Sequence, residues 1–209
     1  MIKERLGSDL DAVVYRIFPF VRSWSFHPDT LTLTGAGVSF FAALAFAEEH
    51  RFLAGLLLMV AGFFDLVDGV VARQQGLSSS AGAFFDSSID RLSDLLIFGG
   101  IAVARGSAAD GTGVALVMWA ITASVMTSYT RAAAEKRLHT LKVGWMERGE
   151  RFGVLIVGAL TGFVMTAVVL IAAGATITAV QRVLAGRRLL RELEETGIDP
   201  TREEVGSGG

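Results

Sequence analysis

The sequence predicts an all-α polytopic membrane protein, with six transmembrane helices and an N-terminal amphipathic helix lying in the membrane interface. Three observations carry this. Apolar residues make up 52% of the 209 and charged residues only 19%, with a mean hydropathy of +0.51. Apolar runs near twenty residues long recur along the chain, and about twenty residues of helix cross a bilayer. Glycine is abundant (24 residues) and proline rare (3), as in helices that pack closely through small side chains. Cysteine is absent, which excludes disulfides and thiolate metal sites. The net charge of -2 says little, because its distribution matters more than its sum, and no nucleic-acid partner is expected.

The first thirty residues are amphipathic and lack an apolar core followed by small residues, so no cleavable signal peptide is expected. Within residues 9–23 (DLDAVVYRIFPFVRS), Val13, Ile17, Phe18 and Val21 recur at helical spacing with Arg16 and Arg22 among them. That pattern suits a short interfacial helix, bent at Pro19. In HPDTLTLTG, Pro28 and Asp29 suit a helix start. Spans follow at about 31–47, 52–73, 82–104 and 112–131. Between Arg151 and Arg182 lie thirty uncharged residues, roughly 45 Å of helix. That is long for one span and short for two. A break near Thr161 and Gly162 gives spans of about 146–161 and 163–190, and draws Arg151 and Arg182 to membrane depth.

Lysine and arginine agree with this layout. Lys3, Arg5, Arg16, Arg22, Arg73, the six from Arg131 to Arg151, and the cluster Arg182, Arg187, Arg188 and Arg191 share one side. The other side holds only Arg51 and Arg105. The rich side is cytoplasmic by the positive-inside rule, which places both termini there in a cell membrane. Residues 1–191 read as one membrane domain. Residues 192–209 (ELEETGIDPTREEVGSGG) are charged and glycine-ended, and read as a flexible cytoplasmic tail. No internal repeat is visible. His50 and His139 fall in expected loops and read as solvated.

The stretch DLVDGVVARQQGLSSSAGAFFDSSID, residues 65–90, puts four aspartates into otherwise membrane-spanning sequence. A carboxylate at the centre of a bilayer helix costs about 2.5–3.5 kcal/mol on insertion scales. Asp65 and Asp68 are three apart and Asp86 and Asp90 four apart, so each pair lies on one helix face. Gly69 and Ala72 share the first stripe and Gly82 the second. Both pairs reach a similar depth near the cytoplasmic face, on helices joined by QQGLSSSA. Four converging carboxylates repel unless something positive sits between them. Oxygen-only ligands favour a hard divalent cation such as Mg2+ or Mn2+, and two ions sharing carboxylates suit phosphoryl-type chemistry. Small neighbours let a polar ligand approach the backbone, and Arg73 adds a charge suited to phosphate oxygens. A carboxylate-lined cation pathway is the alternative, and it leaves the glycines, the alanine and Arg73 without a role.

Residues 65–90 match, without a gap, the pattern D-x2-D-G-x2-A-R-x8-G-x3-D-x3-D, and by it the chain resembles the CDP-alcohol phosphatidyltransferase family. The fixed positions are Asp65, Asp68, Gly69, Ala72, Arg73, Gly82, Asp86 and Asp90. The resemblance implies transfer of a phosphatidyl-type group from a CDP-linked lipid to an alcohol, with release of CMP. Asp65, Asp68 and Asp86 would carry one Mg2+ (or Mn2+), and Asp65, Asp86 and Asp90 a second. Asp90 would also take the proton of the attacking hydroxyl. Gly69, Ala72, Arg73, Ser79 and Gly82 would face the CDP-lipid. His27, Pro28, Asp29, Thr30 and Thr32, which match a P-[ND]-x-x-T pattern, would join them.

The segment SYTRAAAEKRLHTLKVGWMERGER resembles S-Y-x-[KR]-A-R-A-E … E-R-P-E-R of phosphatidylinositol phosphate synthases and their archaeal-lipid counterparts. AVQRVL resembles a stretch near their C-terminus. By that likeness Ser128, Arg131, Arg151 and Arg182 would surround the phosphate of inositol phosphate. A doubly charged acceptor needs cations beyond the metal site, and arginine grips phosphate bidentately. Ala133 and Gly149 depart from the pattern, which has arginine and proline there. Glycerol phosphate, serine and free inositol remain alternative acceptors. The resemblance also implies a homodimer.

Overall fold

The structure, a computed structural model, describes residues 14–24 and 26–203. Every regular element among the described residues is helical. Residues 14–17 form a helical turn and Pro19–Ser23 a 3-10 helix. The longer elements are α1 (Pro28–Ala47), α2 (Arg51–Gln74), α3 (Ser80–Ser107), α4 (Gly111–Ala134), α5 (Arg148–Thr161) and α6 (Val164–Thr196), before a short α7 (Pro200–Glu203). Among the described residues, α1, α2, α4 and α6 are long and apolar enough to cross a membrane. Helix α3 carries Asp86, Asp90, Arg91 and Asp94 between its first turns and its middle. Helix α5 has 14 residues, about 21 Å of rise. The chain forms two compact units, Met1–Ala104 and Arg105–Gly209.

In the first unit, α1 opens on Pro28 with Asp29 in its first turn. Proline costs nothing where the N–H has no intrahelical partner, and the carboxylate meets the positive helix end. A turn through Glu48–His50 returns the chain into α2, with Glu49 at φ 60, and α1 packs along α2. Gly100 on α3 lies so close to α1 that a Cβ there would collide with the Ala43 backbone. Small residues permit such helix contact where burial of apolar area gives no drive. A core of Val14, Val21, Leu31, Val67, Val70 and Val71 binds the N-terminal segment to both helices. Gln74 and Gln75 fasten the same segment: their amide nitrogens donate to the Arg22 carbonyl (2.9 Å) and the Phe26 carbonyl (3.1 Å).

Residues 9–13 of the expected interfacial helix lie outside the described residues. In its described part the helix stops at Ile17, and Pro19 begins a 3-10 helix instead of bending a continuous one. A proline has no N–H to continue the i→i-4 ladder.

In the second unit, the Asp110 carboxylate caps α4 by accepting from the Gly113 N–H (2.8 Å). Helix α6 packs against α4 and α5. Between α5 and α6 the backbone turns at Gly162, φ 83, a left-handed conformation that only glycine adopts without cost. Helix α6 runs to Thr196, past the expected boundary at 191. Residues 192–196 and 200–203 are therefore helical where a flexible tail was expected; 204–209 lie outside the described residues. The extension of α6 has its reason in an apolar stripe, Leu189, Leu190 and Leu193, packed on Ala134, Leu138 and Leu141. Tail charge obscures that stripe in the sequence.

Candidate active site

The site in the first unit is built from helix periodicity. Asp65 and Asp68 project from one face of α2, and Asp86 and Asp90 from one face of α3. One carboxylate oxygen each from Asp65, Asp86 and Asp90 lies within 4.8 Å of the other two. Asp68 stands outside that trio. Its side chain is 5% exposed and accepts a hydrogen bond from Thr32 Oγ1 at 2.6 Å, which ties α2 to the start of α1. A carboxylate has about four lone-pair sites, so this bond fixes its orientation and leaves acceptor capacity.

Beside the aspartates lies a cavity of about 730 Å3. Nine of the ten residues expected to face a CDP-lipid line it: His27, Pro28, Asp29, Thr32, Gly69, Ala72, Arg73, Ser79 and Gly82. Thr30 does not line it; it sits exposed, its carbonyl accepting from Thr34 Oγ1. Asp68 and Asp86 form part of the same wall, so two of the four motif carboxylates share one cavity with the motif arginine. Ser79 has a structural task as well, since its Oγ accepts from the Gly82 N–H at 3.0 Å at the start of α3. The N-terminus of a helix, with its unpaired N–H groups, attracts anions. His27 Nδ1 and Asp29 Oδ2 lie 3.6 Å apart with both side chains about half exposed.

The trio fits a divalent ion. Oxygens coordinating one Mg2+ at about 2.1 Å stand at most about 4.2 Å apart across it, close to the spacing seen. Three carboxylates so near one another repel, and a hard cation removes the repulsion.

The second unit gathers three of the four residues expected to hold an acceptor phosphate. Arg151 and Arg182 are each 4% exposed. Arg151 Nη1 donates to Thr127 Oγ1 and to the Met146 carbonyl, both at 3.2 Å. Arg182 donates to the Val143 carbonyl, the Thr127 carbonyl and Glu147 Oε1, each at 2.8 Å. Arg131 donates to Glu135 Oε1 (3.0 Å) and to Glu147 Oε1 (3.3 Å). Ser128 turns its hydroxyl to its own helix, at the Ser124 carbonyl.

Thr127 and Glu147, which sequence reasoning did not single out, organise this cluster. Glu147 lies inside the arginine-rich ERGER run, and its alternation with arginine was the available signal. Thr127 gave none, being one of several hydroxyl residues in its helix.

Comparison with known proteins agrees with the geometry. The family model described as CDP-alcohol phosphatidyltransferase matches residues 25–185. The archaetidylinositol phosphate synthase of Pyrococcus horikoshii is 36% identical over 181 residues, covering 84% of this chain and 91% of that protein. The crystal structure of Mycobacterium tuberculosis phosphatidylinositol phosphate synthase (PgsA1) with CDP-DAG bound is 26% identical with a TM-score of 0.71. It covers 87% of this chain and 94% of that one. The same enzyme in complex with manganese and citrate is 26% identical with a TM-score of 0.72, covering 86% and 88%.

Proposed function

The chain belongs to the CDP-alcohol phosphatidyltransferase family, and from that premise we propose that it makes an inositol phospholipid. It moves a phosphatidyl-type group from a CDP-linked lipid to inositol phosphate and releases CMP. The observation that carries this reading is the meeting of Asp65, Asp86 and Asp90 beside a cavity walled by Gly69, Arg73, Ser79 and the start of α1. The names of the relatives favour the acceptor: archaetidylinositol phosphate synthase in one case and phosphatidylinositol phosphate synthase in the other.

Asp65, Asp68 and Asp86 would hold one Mg2+ (or Mn2+) and Asp65, Asp86 and Asp90 a second. Bound there, the two ions would supply positive charge for the diphosphate and for the departing CMP. Arg73 and the N-terminus of α3, capped by Ser79, add positive charge toward the phosphates. His27, Pro28, Asp29, Thr30 and Thr32 flank the nucleotide, while Gly69, Ala72 and Gly82 leave room for it. Asp90 takes the proton of the attacking hydroxyl. A carboxylate is a weak base for an alcohol, so the reaction depends on placing that hydroxyl in line. Ser128, Arg131, Arg151 and Arg182 hold the acceptor phosphate. Two of these arginines already share Glu147, and a guanidinium with five N–H donors can take a phosphate beside a carboxylate.

The protein spans the cell membrane six times. Its N-terminal segment lies in the interface, and both termini and the active site are cytoplasmic. Residues 1–191 work as one catalytic domain, as a homodimer in which lipid tails of ester or ether type enter from the bilayer.

The test is CMP release by purified protein in detergent with CDP-diacylglycerol and Mg2+, offered inositol phosphate, glycerol phosphate, serine or inositol in turn. Release with inositol phosphate well above the others is expected. Release with another alcohol alone reassigns the acceptor. No release with any, together with cation flux in liposomes, overturns the enzyme.

A further inference from the structure

The two buried arginines spend much of their hydrogen-bonding capacity on one loop, residues 135–147, between α4 and α5. Arg182 Nε holds the Val143 carbonyl and Arg151 Nη1 the Met146 carbonyl. The Met146 N–H in turn donates to Thr178 Oγ1 on α6, at 3.2 Å. The positions of both guanidinium groups therefore depend on the conformation of that loop.

The other end of the loop is held by the C-terminal segment. Asp199 Oδ2 accepts from the His139 N–H at 2.7 Å. Thr201 Oγ1 accepts from the His139 N–H at 3.1 Å and the Thr140 N–H at 3.4 Å. The pair is braced internally: Asp199 Oδ1 accepts from both the N–H and the hydroxyl of Thr201, at 2.9 and 2.7 Å. That arrangement is a helix N-cap with Pro200 in the first position, a conformation that Asp-Pro-Thr favours on its own. Thr201 is 5% exposed, though it lies eight residues from the C-terminus in a polar run. Beneath these bonds, Leu138 and Leu141 pack on Leu189, Leu190 and Leu193. An exposed pair, Arg137 with Glu194 at 3.7 Å, adds little by itself.

We propose that the C-terminal segment through Thr201 is a latch on the 135–147 loop, and that Asp199 and Thr201 are positioning residues for the acceptor-phosphate site. They touch no substrate. They act by holding His139 and Thr140, and through the loop they set the carbonyls that aim Arg151 and Arg182. The inference rests on the assignment of those arginines to the acceptor.

The test uses the full chain in detergent and compares Asp199→Ala/Thr201→Val with Arg151→Ala and with the unaltered protein. Lys136, Arg137 and Lys142 are exposed in the loop, so trypsin reports its order directly. The double variant should be cut faster there. It should raise KM for inositol phosphate roughly 5- to 30-fold, the effect of losing one or two hydrogen bonds. Its kcat and its KM for CDP-diacylglycerol should stay as they were, and Thr201→Ser, which keeps the hydroxyl, should behave as the unaltered enzyme. Asp199→Ala alone serves where the double variant is not recovered. Unchanged cleavage overturns the latch. So does an unchanged acceptor KM in the double variant beside a raised one in Arg151→Ala. An unchanged acceptor KM in Arg151→Ala instead overturns the acceptor assignment, and the positioning role with it.

Discussion

The four motif aspartates differ in what surrounds them, although the sequence presents them as two similar pairs. Asp68 is buried and bonded to Thr32, whereas Asp65, Asp86 and Asp90 bring their oxygens together. Spacing alone placed each pair on a helix face, because a period of 3.6 turns three or four residues into one stripe. It carried no information about Thr32, thirty-six residues away, since a contact between helices has no local signature. Asp90 stands in the trio and is assigned the proton of the attacking hydroxyl. Asp90→Asn keeps the size and most of the polarity but cannot take a proton. We expect turnover, followed as CMP release, to fall by about 10²- to 10⁴-fold, the usual worth of a general base. Affinity for CDP-diacylglycerol, read by equilibrium binding, should change only a few-fold. Ordinary turnover in that variant refutes the base.

At the scale of elements, the apolar runs fall where the structure has its six longer helices, with the C-terminal one running on to Thr196 beyond the expected 190. The break near Gly162 was legible for a different reason: thirty uncharged residues leave one span or two open, and a single span would put Arg182, Arg187, Arg188 and Arg191 on the side opposite the other basic loops. What was not legible lies where short-range and long-range signals conflict. The tail from 192 looks solvated by composition, yet Leu193 continues an apolar stripe whose partner, Leu138 with Leu141, is distant in sequence. Helix α5 raises the sharpest question about the six-span layout, since about 21 Å of helix is shorter than a hydrocarbon core of about 30 Å. A cysteine-free chain allows single-site labelling. With an impermeant maleimide, Thr161→Cys should react from the outer side and Glu194→Cys only in inverted vesicles. Reaction of both from the same side contradicts six spans.

At the scale of the molecule, the distribution of charge says more than its sum. Each unit contributes an ionic cluster of its own kind: carboxylates with one arginine in the first, arginines bridged by Glu147 in the second. A donor of phosphatidyl groups brings a diphosphate, which calls for metal ions. A phosphorylated acceptor brings a second anion, which calls for fixed cations. A carboxylate-lined ion route needs the first set and has no use for the second. The account therefore stands or falls on metal held by the acidic cluster, and Asp86 belongs to both proposed ligand sets. The most direct measurement is titration of the purified protein with Mn2+, following the free ion by electron paramagnetic resonance with Mg2+ as competitor. We predict two Mn2+ bound per chain, displaced by Mg2+, and both sites weakened in Asp86→Asn. No bound Mn2+, or the same binding in Asp86→Asn, contradicts the account.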